Sequence, residues 1–293
     1  NFRRTQSVLM KKIICFGEVL WDLLPSGKQA GGALMNVAFR LKELNHDVAL
    51  MTAIGNDSLG HELMESLEEK GISDFVYQST KLSTGTVDVK LDATGSASYT
   101  IVQGVAWDEI PIEKFKGNSS QLIFGSLALR TEFNRRNLIK LIDTTEEVVF
   151  DVNLRAPFYS FELVDEFIQL SHLVKLNEDE FIWLCNHLDI QADFSLSCFQ
   201  CLSERYSGKI WCVTLGENGA ILYEDGTLTK EKGHPVLVKD TIGAGDAFLA
   251  AFLHKRHKKV SPSECLTFAC KVGSTVAGQK GASQALPIEL LND

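Results

Sequence analysis

Several things are scarce in this sequence, and each shortage removes a class of protein. Its 293 residues contain no apolar run near the roughly 18–20 residues that a membrane-spanning helix needs. Positive charge is in deficit: 29 Lys and Arg stand against 38 Asp and Glu, a net charge of −9. That balance argues against a nucleic-acid partner held by general electrostatics. Cysteine is thinly spread over seven positions (15, 185, 198, 201, 212, 265 and 270), an odd number mostly inside apolar runs. The pattern suits reduced, buried thiols in a cytoplasmic protein. Cys198-Phe-Gln-Cys201 has no second pair and reads as helix packing, not as a metal or redox site. No G-x-x-x-x-G-K-[ST] occurs, which excludes a P-loop mechanism. The G-x-G at Gly243 and Gly245 is not a dinucleotide fingerprint, because position 248 holds Phe in place of a third Gly or Ala. Repeats, low-complexity tracts and a domain linker are also missing. Residues 1–9 are polar and basic with no apolar core after them, so they do not make a secretory signal. Met10-Lys-Lys-Ile13 looks like a natural start, and residues 1–9 are expected to be an extension or expression remnant outside the fold.

What is present has an ordinary globular composition, 45% hydrophobic and 23% charged. Lys12 to Phe16 is a β-type run. A turn at Pro25–Lys28 and a Gly31-Gly32 loop follow. The helical pattern then starts at Val37, with Val37, Leu41 and Leu44 on one face. Val48–Ala53 is the next strand. Asp57 or Ser58 can cap a helix lined by Leu59, Leu63 and Leu67 and ended at Gly71. This β-loop-α-β-α order opens a parallel sheet. Residues 83–107 differ. Val87, Val89 and Leu91 alternate with polar residues, Ala93–Ser96 reads as a turn, and Ser98–Val102 as a return strand. An antiparallel hairpin inserted in a βα series is a candidate lid or interface. The series resumes with strands at Gln121–Phe124, Glu147–Val152, Leu173–Leu176 and Ile210–Leu215. Ala220–Tyr223 returns after the Gly216–Gly219 turn. A short apolar run at Val236–Val238 precedes a helix from Ala247 to His254. The basic run from His254 to Lys259 closes that helix and is expected to be a solvated end that compensates the helix dipole. Ser261-Pro-Ser-Glu264 starts a further helix with Pro at its first position and a capping box. That helix should run to about Gln279 and end at Lys280-Gly281-Ala282.

The chemistry concentrates at loop-to-helix junctions. Asp240-Thr-Ile-Gly-Ala-Gly-Asp-Ala-Phe248 puts two glycines at a helix N-terminus, where backbone N–H groups and the helix dipole favour an anion. Asp246 lies in the first turn, placed to take a proton from a substrate hydroxyl. Alone, the stretch is also compatible with an ordinary glycine turn. Asp22 and Asn36 flank the Gly-Gly turn and could meet sugar hydroxyls, or act as turn and cap residues. Asn153 and Arg155 follow a strand end, where ligands bind in open α/β sheets, and Arg suits phosphate or a structural ion pair. Asn177 and Glu180 could hold metal-bound water, since Mg²⁺ keeps several waters, or form a helix N-cap.

Taken together and in order, these pieces resemble the PfkB (ribokinase-like) carbohydrate kinase family from about Lys12 to the C-terminus. Asp240–Phe248 is similar to its second signature, Gly31-Gly32 through Asn36 with Gly55-Asn56-Asp57 and Gly60 to its first, Asn177–Glu180 to its N-x-x-E element, and Val213–Gly219 to its nucleotide-edge motif. Phe16–Asp22, Asp151–Arg155 and Lys175–Glu178 most resemble fructokinases. The resemblance implies a three-layer α/β/α fold over residues 10–293, with a mostly parallel central sheet and a small β lid from about 23–31 and 83–107. It implies phosphorylation of a ketose primary hydroxyl by ATP, giving fructose 6-phosphate from D-fructose, with ribose or 2-keto-3-deoxygluconate as the alternative substrate and a non-catalytic sugar-binding protein as the alternative class. Asp246 would be the base, and Gly243, Ala244 and Gly245 the anion hole. Asp22, Gly32, Asn36 and Arg155 would bind sugar or phosphate. Asn177 and Glu180 would position Mg²⁺, and Thr214, Gly216 and Gly219 would line the nucleotide. Asp240 and Gly281 match a K⁺ site, while Gln279 and Ala285 depart from it. Leu34 and Met35 stand where relatives carry smaller residues or proline and are expected to crowd the sugar pocket. The lid implies a homodimer.

Overall fold

A computed structural model of the chain describes residues 12–24, 27–91, 97–279, 281–282 and 284–292. The expectations for residues 1–9, the Pro25-Ser26 turn, the Ala93–Ser96 turn and Lys280 lie outside these. The first strand, β1 (Ile13–Phe16), is flanked on both sides by parallel neighbours. A hairpin, β2 (Leu20–Leu24) and β3 (Gly27–Gly31), leads into helix α1 (Ala33–Glu43). Then come β4 (Val48–Gly55), α2 (Ser58–Glu69) and β5 (Phe75–Ser79). The second hairpin is β6 (Gly85–Leu91) and β7 (Ala97–Ile101). The alternating pattern continues through β8 (Ser119–Gly125), α3 (Glu132–Ile142), β9 (Thr145–Asp151), α4 (Phe161–Leu170), β10 (Leu173–Asn177), α5 (Glu178–His187) and α6 (Leu196–Arg205). The chain closes with β11 (Ile210–Thr214), β12 (Ala220–Glu224), β13 (Thr227–Glu231), α7 (Ala244–His257) and α8 (Pro262–Ala277).

The strands form a nine-stranded sheet in the order β13-β12-β11-β10-β9-β8-β1-β4-β5 and a four-stranded sheet in the order β3-β2-β6-β7. The large sheet is parallel except at its β12 and β13 edge. Alternation along β1 splits the core. Ile13 and Cys15 pack with α1, α2, α7 and α8 on one face, and Ile14 and Phe16 with α3 to α6 on the other. The result is the three-layer α/β/α arrangement of the ribokinase-like fold. Strand order reverses between β1 and β8, so the crevice at their carboxyl ends is where an open α/β sheet binds ligands.

Several local expectations change. Helix α1 begins at Ala33, four residues before the apolar stripe becomes periodic, so Asn36 sits within its first turns and not in a loop. Leu34 and Met35 are buried in the core, with Leu34 packed against Gly17 and Gly125. They do not line the cavity described below, and the expected crowding of a sugar pocket does not occur. The small sheet draws in β2 from Leu20, and the expected lid from 23–31 and 83–107 narrows to strands at 20–24, 27–31, 85–91 and 97–101. The basic end of α7 is not wholly solvated. His254 is buried against His46 and Phe268, and Lys255 lies over the Phe268 ring. The Val236–Val238 run forms no strand and is exposed. Where local chemistry decided the matter, expectation and structure agree. Asp57 caps α2, Ser261 and Glu264 form the capping box of α8, and Cys198 is buried in α6 while Cys201 faces out.

Candidate active site

The carboxyl ends of β1, β9, β10 and β11 face the N-termini of α1, α5 and α7 across a cavity of about 1280 Å³. The turn into α7 is tight. Gly243 has φ +76°, and a Cβ there would come within 2.4 Å of the Ala282 Cβ, so only glycine fits. Gly245 lies in the first turn, where N–H groups have no intrahelical acceptor. The Ala244 N–H donates back to the Thr241 carbonyl at 3.2 Å, so one of the three amides expected to face an anion is already engaged.

Asp246 follows. Asn36 Nδ2 donates to its Oδ2 at 2.8 Å, joining α1 to α7 across 210 residues. Burial raises the Asp246 carboxyl to about 7, the Asp151 and Glu18 charges add to the rise, and the Asn36 hydrogen bond and Lys175 oppose it. A carboxyl poised near neutrality suits proton abstraction. Asp22, on β2, enters from the small sheet, and burial raises its carboxyl too. Gly31 lies beside it, where a Cβ would come within 2.6 Å of Asp22 Oδ2. Gly32 has φ +130°, and a Cβ there would strike the Glu18 carbonyl at 2.4 Å. It therefore caps α1 without a side chain, and Glu18 Oε1 accepts the Ala33 N–H at 3.0 Å in compensation.

Asn177 and Glu180 form a reciprocal capping box at the start of α5. The Glu180 Oε2 accepts the Asn177 N–H at 2.9 Å, and its Oε1 accepts the Leu154 N–H at 2.8 Å. Glu180 thereby holds the loop that carries Arg155, whose exposed guanidinium reaches the cavity and donates to the Leu154 carbonyl. At the other end of the cavity Thr214 Oγ1 donates to the Leu176 carbonyl at 3.4 Å, and Gly216 and Gly219 frame a short 3₁₀ turn.

Asp22, Gly32, Asn36, Arg155, Asn177, Thr214, Gly216, Gly219, Gly243, Ala244, Gly245 and Asp246 thus line one cavity. Glu180, Asp240 and Gly281 do not. Glu180 is buried behind it. Asp240 and Gly281 meet each other: Asp240 Oδ2 accepts the Gly281 N–H at 3.1 Å and its Oδ1 the Ile242 N–H at 3.0 Å. The neighbouring Ala282 carbonyl accepts from buried Arg40 at 2.6 Å. Sequence reasoning assigned no role to Lys175, Asp151 or Glu18. Lys175 is buried on the cavity floor, with its Nζ 3.0 and 3.2 Å from the two Asp151 carboxylate oxygens. The available signal was a charged residue inside an otherwise apolar strand run, as in Leu173-Val-Lys-Leu176. Such a residue has to be paired or functional.

The model for pfkB family carbohydrate kinases matches residues 10–289. The chain belongs to the pfkB family. It is accordingly an ATP-dependent sugar phosphotransferase. This pfkB kinase is 26% identical to a curated fructokinase from Salmonella typhimurium, over 95% of this chain and 97% of that protein. It is 28% identical to a putative sugar kinase from Pyrococcus horikoshii, over 82% and 81% of the two chains. The crystal structure of a fructokinase from Xylella fastidiosa with bound ATP superposes with a TM-score of 0.85 at 24% identity, over 97% of this chain and 98% of that one. A Vibrio cholerae fructokinase double mutant with fructose, ADP and potassium ion bound gives a TM-score of 0.81 at 24% identity, with 97% and 98% covered. These two structures speak for the fold.

Proposed function

We propose that this pfkB kinase phosphorylates the primary hydroxyl of a ketose, D-fructose first, yielding fructose 6-phosphate. The observation that carries the reading is the Asn36–Asp246 pair. It places a carboxylate that titrates near neutrality at the head of the glycine turn, in one cavity with Asp22. Several curated relatives at 26–28% identity are named fructokinase, which favours fructose over ribose or 2-keto-3-deoxygluconate.

In this reading Asp22, Gly32 and Asn36 hold the sugar, and Asn36 also orients Asp246. Asp246 accepts the hydroxyl proton while the sugar oxygen bonds to the γ-phosphorus and the bond to ADP breaks. The amides of the Gly243–Gly245 turn, chiefly Gly245, meet the charge on the transferring group. Thr214, Gly216 and Gly219 line the nucleotide, and Arg155 meets phosphate or sugar from the rim. The donor set fits Mg²⁺ only through water: among the described residues no three carboxylate, His or Cys side chains form a cage. Asn177 would offer its side-chain carbonyl oxygen to the ion's waters from the cavity wall, and Glu180, buried behind it, would hold Asn177 and the Leu154 loop in place. When bound, the ion supplies charge neutralisation on the phosphates. A monovalent cation at Asp240 and Gly281 would lie outside the cavity lining, and no step runs through it. The β3-β2-β6-β7 sheet is the lid, excluding water from the phosphoryl group, and its outer face pairs two copies of the chain.

The test is ADP release from Mg-ATP with fructose, ribose, 2-keto-3-deoxygluconate and other sugars. Fructose is expected to give the highest kcat/KM. Turnover only with ribose or a keto-deoxy acid would reassign the substrate, and no turnover with any sugar would refute the kinase reading.

A further inference from the structure

Lys175 is an expensive residue to keep where it is. Its side chain is 7% exposed, at the floor of the cavity and inside a strand whose other residues up to Leu176 are apolar. A buried ammonium persists only with compensation, and Asp151, 1% exposed, provides it through both oxygens. That pair alone would be a structural ion pair. Three further facts point elsewhere. An ammonium carries three donors, and the two Asp151 contacts leave one with no protein acceptor among the described residues. A Cβ on Gly245 would lie 3.4 Å from Lys175 Nζ, so the ammonium stands against the backbone of the glycine turn, and it borders the cavity. The surroundings are also anionic, with Asp151, Glu180 and Asp246 all acting on Lys175, and Glu18 acting on Asp246. A triphosphate entering such a place is repelled unless a cation faces it.

We propose that Lys175 is a catalytic residue whose free N–H contacts an oxygen of the phosphoryl group during transfer, alongside the Gly245 amide, with Asp151 holding it in place. The inference rests on the kinase reading of this cavity. Lys175 keeps all its protons throughout, since the hydroxyl proton goes to Asp246 as the sugar O–P bond forms and the P–O bond to ADP breaks. Burial pulls the ammonium toward neutrality, but the charges of Asp151, Glu180 and Asp246 outweigh it and keep the group protonated, so it is charged whenever ATP arrives.

The experiment compares wild type, Lys175→Met, Lys175→Arg, Asp151→Asn and the double variant Asp151→Asn/Lys175→Met, using the sugar that wild type phosphorylates best. Thermal midpoints and the KM values for sugar and ATP are measured beside kcat. Removing one preorganised donor is expected to lower kcat about 10²–10³-fold, with both KM values within about threefold. Lys175→Arg should recover part of the loss. The double variant removes both buried charges, so its melting temperature should return toward wild type while kcat stays low. Recovery of kcat in the double variant to the Asp151→Asn level would overturn the proposal and leave Lys175 a neutraliser of Asp151. If Lys175→Met alone does not fold, the double variant decides. Absence of sugar turnover in wild type would remove the kinase reading itself, and this proposal with it, before any variant is compared.

Discussion

Asp246 is under two opposed demands. The proposed role as base needs it ionised, whereas its burial beside Asp151 and Glu18 favours the protonated form. The sign of the pH response follows. As a base, Asp246 works above its folded value of about 7, so kcat/KM is expected to rise with pH through that region. Stability runs the other way. A carboxyl raised on folding contributes stability that is lost as pH climbs through the folded value. Asp246→Asn should therefore lower kcat roughly 10²–10⁴-fold while leaving ATP binding intact. Its melting temperature relative to wild type should also be higher at pH 8.5 than at pH 5, because most of the wild-type loss falls between pH 5 and 7. Steady-state kinetics with calorimetry at the two pH values checks both halves, and full activity in the variant would refute the base assignment. The residues around Asp246 mark the limit of sequence reading. The aspartate was legible because its glycines and its helix start are contiguous. Its partners come from β9, β10 and α1, so no window of sequence places Asn36, Asp151 or Lys175 beside it.

At the scale of elements, α7 is the hub. It packs against α1 and α8, and polar contacts pin both of its ends. At its C-terminal end His46 Nε2 and His254 Nδ1 share a hydrogen bond of 2.9 Å, which requires one ring to donate and the other to accept. Burial lowers both histidines to about 4, and the nearby Lys258 and His257 add to the effect, with Lys255 also acting on His254. His257 is lowered by burial as well, opposed by Glu147. Bases depressed on folding contribute stability above their unfolded value near 6.5 that disappears as pH falls toward 4. Wild type should thus lose melting temperature steeply between pH 6.5 and 4, and His254→Leu should flatten that slope. Equal slopes in a fluorimetric melt series would discount the cluster. At the N-terminal end Arg40, 1% exposed, pairs with Glu43 and donates to the Ala282 carbonyl, and Ala282 packs directly against Gly243. Breaking a buried ion pair costs about 3–5 kcal/mol, so Arg40→Met should lower the melting temperature clearly. It should also reduce kcat more than KM, by loosening the glycine turn. A variant with lowered stability but unchanged kcat would separate the loop from the chemistry. The basic run showed composition and position but not burial, because His46, which covers it, lies more than two hundred residues upstream.

For the whole molecule, the cavity joins two sheets. Asp22 reaches it from the small sheet and Asp246 from the helices over the large one, so if the small sheet acts as the proposed lid, its closure and the assembly of the proposed sugar site are one event. If the outer face of the lid pairs two copies, sedimentation should give twice the chain mass, and a monomer at micromolar concentration would refute that pairing. The sequence by itself determined the βα alternation, the inserted hairpin, the capped helix starts and the glycine-aspartate turn. Each of these is set within a few residues by periodicity, capping chemistry or the conformational freedom of glycine. Only the tertiary structure decided which carboxylates crowd Asp246, that Leu34 and Met35 turn into the core, that α1 begins before its apolar stripe, and that Lys175 lies beneath the turn. Those outcomes depend on parallel strand order and on desolvation, which bring together residues far apart in the chain and carry no local mark.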